Sequence, residues 1–220
     1  MYNTMKFIAI SPQTCRSIMP GNDERTVFYR SYHPILRWVF WGRLRRITGF
    51  INATGVHGRC LDFGGGTGVL LPSLSTHFHE VCCLDLDAGV ARSVVKHLCL
   101  SNVSIQEMDV STPDSRRYEA IVAADVLEHF EDLAMPVDGI VRRITKGGWL
   151  FTSLPTENGL YEAIRKLIGK SKPADHYHSA CAVEAYLQQR GFRRVMHTST
   201  PIPFLAPLFS ISAWRYDGKY

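Results

Sequence analysis

The chain has 220 residues, 45% of them hydrophobic and 20% charged, enough apolar material for a core of ordinary domain size and too much for a wholly disordered chain. Its formal net charge of +5 is mildly basic, short of the concentrated Lys/Arg face of a dedicated nucleic-acid module, so a nucleic-acid partner is not expected. Six cysteines form neither a CxxC pair nor a zinc-ligand spacing, which excludes a zinc ribbon and predicts buried reduced thiols.

Residues 1–24 mix Ser, Pro, Asn and Gly with scattered apolar groups, including Pro12, Pro20 and Gly21, and predict a loosely ordered arm. The only apolar run there, Phe7 to Ile10, is too short for a signal sequence or a membrane span, so a cytoplasmic location is expected. Residues 25–54 predict a helical cap interrupted near Pro34, with Leu36, Phe40, Leu44, Ile47 and Ile51 within one arc of the helix. On another face Arg37, Trp38, Trp41 and Arg45 combine aromatic and basic groups. That face suits a peripheral membrane contact, a homodimer contact or cover by the protein's own arm.

From residue 55 to the end, short apolar runs alternate with helical segments, the pattern of a parallel sheet covered on both sides. Strands are expected at Arg59–Phe63, Glu80–Asp85, Val103–Glu107, Glu119–Ala124 and Gly148–Leu154. The helices between them are expected at Thr67–Thr76, Ala88–Leu98 and Asp132–Thr145, the last stopped by Gly147-Gly148. Beyond Pro155 the pattern predicts helices at Gly159–Ile168 and Ala180–Arg190, then two extended runs, Arg193–Thr198 and Leu208–Tyr216, as an antiparallel pair.

The turn Asp62-Phe63-Gly64-Gly65-Gly66-Thr67-Gly68 follows a strand and leads towards a helix, where small residues let the backbone approach a nucleotide-type ligand. Asp85, at the end of the next strand, can accept hydrogen bonds from two ribose hydroxyls, which fits NAD and S-adenosylmethionine equally. Asp109, between Met108 and Val110, can accept from an adenine amino group. The fourth strand ends in Asp125-Val126-Leu127-Glu128-His129. A dinucleotide fingerprint would need glycine where Val69 stands.

Together LDFGGGTG, CLDLD, MDVS and AADVLEHFED resemble the class I S-adenosylmethionine-dependent methyltransferases, especially their small-molecule, ubiquinone-type branch, over residues 55 to about 200. The resemblance implies a Rossmann-like, doubly wound α/β fold. Its mostly parallel sheet would have about seven strands, the last antiparallel, with helices on both faces and extra N-terminal helices. It implies S-adenosyl-L-methionine as cofactor, with S-adenosyl-L-homocysteine as product. Asp62, Gly64, Gly65, Gly66 and Gly68 would hold the methionine part, Asp85 with Leu86 the ribose, and Met108, Asp109 and Val110 the adenine. Asp125 and Val126 would lie beneath the cofactor, near a small-molecule or lipid-like acceptor of a methyl group. Asp87 and the Pro201–Pro207 insert depart from the family pattern, and residues 156–180 and 201–208 are the expected lid elements. His129, His176 and His178 are the candidate bases; with no third ligand near His176 and His178, no metal is expected. The alternatives are an NAD(P)-dependent oxidoreductase and a non-catalytic binding protein of the same fold.

Overall fold

The computed structural model describes residues 4–21, 23–112, 114–156, 176–202 and 206–218. The helix expected at Gly159–Ile168 and most of the two lid segments lie outside the described residues.

Helix α1 (Pro12–Ile18) begins where the Ser11 hydroxyl accepts from the Thr14 N–H and Pro12 occupies a first-turn position that needs no N–H. It corrects the expectation of a loose arm: Met5, Ile10, Cys15 and Met19 are buried. Asn52 pins the arm, its side-chain oxygen accepting from Met5 N at 2.6 Å and its amide donating to Met5 O at 3.0 Å. Apolar residues this scattered show no periodicity in sequence. They become core only because distant elements supply the other half of each contact.

A short α2 (Val27–Arg30) precedes α3 (Pro34–Thr54), which starts at Pro34 and stops at Gly55 in a left-handed conformation, φ 64°. Leu44, Ile47 and Ile51 are buried as the arc predicts, while Leu36 and Phe40 are half-buried. The aromatic–basic face is split. Trp38 is 53% exposed, but Trp41 is buried, edge-on to the Phe7 and Tyr29 rings. Arg37 donates to the carbonyls of Tyr29 and Ile10. The arm and α2 therefore remove Arg37 and Trp41 from the exposed face that the sequence suggested.

The remaining elements are β1 (Arg59–Phe63), α4 (Leu71–Ser75), β2 (Glu80–Asp85), α5 (Gly89–His97), β3 (Val103–Glu107), β4 (Tyr118–Ala124), α6 (Ala134–Arg143), β5 (Ile144–Pro155), α7 (Ala180–Gln189), β6 (Phe192–Ile202) and β7 (Ala206–Tyr216). Among the described residues the strands form one sheet of order β3-β2-β1-β4-β5-β7-β6. The first five are parallel neighbours, and β7 runs antiparallel to both β5 and β6. Two apolar layers sandwich the sheet, one including Cys15, Ile47, Leu74 and Val94 from α1, α3, α4 and α5, the other Val137, Ile140, Val183 and Leu187 from α6 and α7. This is the α/β methyltransferase architecture expected from the sequence.

Several helix ends differ from expectation, the start of α6 at Ala134 instead of Asp132 among them, and two have a visible cause. The helix expected from Thr67 starts only at Leu71, because Gly66 and Gly68 have positive φ and cannot continue a right-handed helix. The helix expected to run to Thr145 ends at Arg143. Buried Ile144 instead pairs with Tyr118 in the sheet, and the register shift before Trp149 takes up Gly147-Gly148.

Strand order reverses between β1 and β4, which opens a crevice at their carboxyl ends. The candidate site lies there.

Candidate active site at the sheet switch point

The glycine turn is closed onto β2 by the N–H groups of Gly64 and Gly65, which donate to Leu84 O at 2.8 and 3.3 Å. Gly64 has φ 67°, and a Cβ there would lie 2.3 Å from Val126 Cγ2, so only glycine lets β4's end press on the turn. Gly66 has φ 51°, but among the described residues a Cβ there would meet nothing nearer than 4.0 Å, so its face is open to them. Gly65 lies over Cys83 and Asp62, and Gly68 lies against Ala91 of α5. An open backbone face between tightly packed glycines is a cradle that a ligand can enter.

Asp85 borders that cradle. One carboxylate oxygen accepts from Gly66 N at 2.7 Å and the other from Asp87 N at 2.9 Å, so its orientation is preset. Leu86, beside it, is 68% exposed, an apolar surface at the rim. Asp62 lies beneath, 3% exposed, and burial, then the charge of Asp85, pushes its carboxyl up to about 7.

At the end of β3, Asp109 is exposed and accepts from Ser111 N at 2.7 Å. Hydrogen bonds from the Ser111 hydroxyl and N–H hold its carboxyl below the usual carboxylate range. Met108 is half-buried beside it. Val110, expected to flank a ring, is buried and joins the core around Phe63, because its backbone follows the turn inward. What fixes this loop went unseen in the sequence: buried Arg143 of α6 donates to Val110 O at 2.9 Å, Gly139 O at 3.0 Å and Thr112 O at 2.5 Å. A lone arginine in a helix carries no mark of the distant carbonyls it will meet.

Asp125, at the end of β4, has φ 55°, a left-handed conformation that Asp tolerates better than most residues. The Ser153 hydroxyl donates to one carboxylate oxygen at 2.8 Å, and the buried Arg43 guanidinium forms an ion pair with the other. Arg43 also donates to the Tyr29 hydroxyl at 2.6 Å. Neither Arg43 nor Tyr29 stood out in sequence, yet together they bring the N-terminal cap to the floor of the crevice.

The following turn places His129 against His176, ring centroids 4.7 Å apart and nearly perpendicular. Tyr177 N donates to Glu128 O at 2.9 Å, and His178 Nε2 shares a hydrogen bond with Glu131 O at 3.0 Å. His176 and His178 therefore lie along the turn after β4, but only His176 joins His129. Ligand atoms of Glu128, His129 and His176 all lie within 4.8 Å of one another. The premise that His176 has no nearby donors is thus corrected: the fold supplies two, and this set could move a proton or hold a divalent ion.

Residues 37–197 match the profile of the family described as methyltransferase domain. The chain belongs to that family. It is a class I S-adenosylmethionine-dependent methyltransferase, and membership separates the two cofactors that the glycine turn and ribose carboxylate fitted equally. The methyltransferase is 30% identical over 120 residues to a ubiquinone biosynthesis O-methyltransferase of Coxiella burnetii, a match covering 53% of this chain and 50% of the relative. The matched region thus spans about half the length of that relative. The fold is similar to N-methyltransferase NodS from Bradyrhizobium japonicum WM9 in complex with S-adenosyl-L-homocysteine, with TM-score 0.69, 17% identity, and coverage of 93% of this chain and 97% of that one. It is equally similar to magnesium protoporphyrin IX methyltransferase from Synechocystis PCC 6803 with the same product bound, with TM-score 0.69, 16% identity, and coverage of 93% and 99%.

Proposed function

We propose that this methyltransferase methylates an O, N or C nucleophile of a small-molecule or lipid-like acceptor held beside the His129–His176 pair. The observation that carries the reading is that pair itself: two imidazoles from separate segments meet, with Glu128, at the strand end next to Asp125. When bound, S-adenosylmethionine supplies an electrophilic methyl group on a sulfonium. The glycine turn and Asp62 would hold its amino-acid end, Asp85 would accept from the ribose hydroxyls, and Asp109 would accept from the adenine amino group, with Met108 and Leu86 as apolar neighbours. Asp125 and Val126 form the floor on the acceptor side. His129 or His176 takes the acceptor's proton as the nucleophile attacks. His178 holds the segment in place through Glu131 O. The unpaired cysteines support a reducing, cytoplasmic setting, and among the described residues no helix is long and apolar enough to cross a membrane.

Calorimetry with S-adenosylmethionine, S-adenosylhomocysteine and NAD, followed by mass-spectrometric screening of phenols, amines and lipid quinols for methyl gain, tests the proposal. Asp85→Ala is expected to weaken cofactor binding by about 1.5 to 3 kcal/mol. His129→Gln and His176→Gln are expected to lower kcat about 10²-fold or more with a neutral phenol while leaving S-adenosylhomocysteine affinity in place. Full turnover in the double histidine variant would remove the acid–base role.

A further inference from the structure

The charge of this chain is unevenly placed. Residues 1–61 hold nine of the 25 Lys and Arg residues but only two of the 20 acidic ones, Asp23 and Glu24, and Asp23 is paired with Arg25. Helix α3 carries four arginines and no acid. Arg43 turns inward to Asp125, and Arg37 is used on backbone carbonyls. Arg45 and Arg46 remain exposed on the outer side, Arg45 resting over the Phe7 ring at 5.2 Å.

Along that side Ile35, Trp38, Gly42, Arg45 and Gly49 follow one another at helical spacing, one outward stripe. Ile35 is 61% and Trp38 53% exposed, and Ile202, next to Pro201 in β6, is 42% exposed. A cavity of about 800 Å³ opens here, lined among others by Arg37, Trp38, Trp41, Arg45, Arg46 and, at the end of β6, Pro201. Among the described residues its lining contains no carboxylate.

One feature of the groove finds no explanation among the described residues. Gly42 and Gly49 lie mid-helix, where glycine weakens a helix, yet among the described residues a Cβ at either would meet nothing within 4 Å. They keep the groove floor at backbone level for something from outside.

We propose that this groove binds the phosphate of an anionic phospholipid and seats the methyltransferase on an acidic membrane surface. Arg45 and Arg46 meet the phosphate region, while Ile35 and Trp38 enter the boundary with the acyl chains, the division of labour by which interfacial helices hold to membranes. A second copy on this face would set arginine against arginine. Nucleic acid would satisfy the charge but leave Ile35 and Ile202 without an apolar partner.

The test is co-sedimentation of the full chain with vesicles of phosphatidylcholine alone and of phosphatidylcholine with phosphatidylglycerol, at low and high salt. Parallel arms add inorganic phosphate or single-stranded DNA as competitors. Binding to the acidic vesicles is expected to exceed that to neutral ones by about tenfold, to fall with salt, and to be lost in Arg45→Glu/Arg46→Glu. Trp38→Ser is expected to weaken it severalfold, and Trp38 emission to shift to the blue on binding to the acidic vesicles. S-adenosylhomocysteine affinity, unchanged in both variants, reports that they are folded and separates this proposal from the acceptor reading. Equal binding to neutral vesicles, no binding at low salt, or undiminished binding by the charge-reversed variant would overturn it. So would displacement from vesicles by millimolar inorganic phosphate, which marks a soluble-anion site, or by DNA at comparable phosphate concentration, which marks a nucleic-acid face.

Discussion

Arg43 of α3 is ion-paired with Asp125 at the end of β4, joining the N-terminal cap to the crevice at the carboxyl ends of β1 and β4. With Arg43 side-chain exposure at 7% and Asp125 at 23%, the pair is shielded enough that removing one partner leaves a charge water cannot fully compensate. Arg43→Met is expected to lower unfolding free energy by about 3 kcal/mol in chemical denaturation, and Arg43→Met/Asp125→Asn to recover part of that loss. Additive losses would show that the two residues do not act on each other.

Asp62 predicts a pH dependence of opposite sign to that of a salt-bridged carboxylate. Burial, then the charge of Asp85, raises its pKa to about 7 from the ordinary 3.8. Folding therefore favours the protonated form: that contribution is fully present below the unfolded pKa and is lost as pH rises through the folded one. Above about pH 7 the buried carboxylate costs up to about 4 kcal/mol. Asp62→Asn is expected to become progressively more stable than the parent protein between about pH 4 and about pH 8, while binding S-adenosylhomocysteine less well. Denaturation curves across that range, paired with calorimetry, check both halves.

The contact between Gly64 and Val126 makes a separable prediction. Gly64→Ala adds a positive-φ penalty and a clash with Val126 Cγ2, where the added Cβ would lie at 2.3 Å. The expected loss is about 2 to 4 kcal/mol. Val126→Ala in the same chain is expected to relieve only part of the clash, because Val126 Cβ would still lie 2.8 Å from the added carbon, and to leave the backbone penalty of about 1 kcal/mol as well. Thermal denaturation of the three variants reads out the difference.

Arg143 is expected to act on nucleobase recognition without touching the nucleobase, since it grips the carbonyls on either side of Ser111, which holds Asp109. The parent protein is expected to prefer S-adenosylhomocysteine over its inosine analogue, which lacks the amino group, by about tenfold or more. Arg143→Met should erase most of that preference, and Asp109→Asn should add little to it. A retained preference with merely lower stability would make Arg143 a core residue only.

β1 and β2 were legible because strands buried on both faces read as short apolar runs, and they begin and end where the pattern placed them, as does the half-buried edge strand β3. The carboxylates at their ends were legible for a related reason. Once a strand's end is known, the next polar residue falls at the carboxyl edge, as Asp85 and Asp109 do. Helix boundaries were less so: the positive φ of Gly66 and Gly68 delayed α4, and Ile144 left α6 for the sheet.

By itself, then, the sequence determined the sheet and the glycine cradle, because those depend on local periodicity and on residues adjacent in the chain; that local pattern fitted two cofactors, and family membership decided between them. Only the tertiary structure decided which distant groups meet. Arg43 meets Asp125, His129 meets His176, Arg143 meets Val110 and Trp41 turns inward under Phe7 and Tyr29. Each is a pairing of groups far apart in the chain, and neither partner's neighbours in sequence record the charge, ring or carbonyl that folding brings beside it.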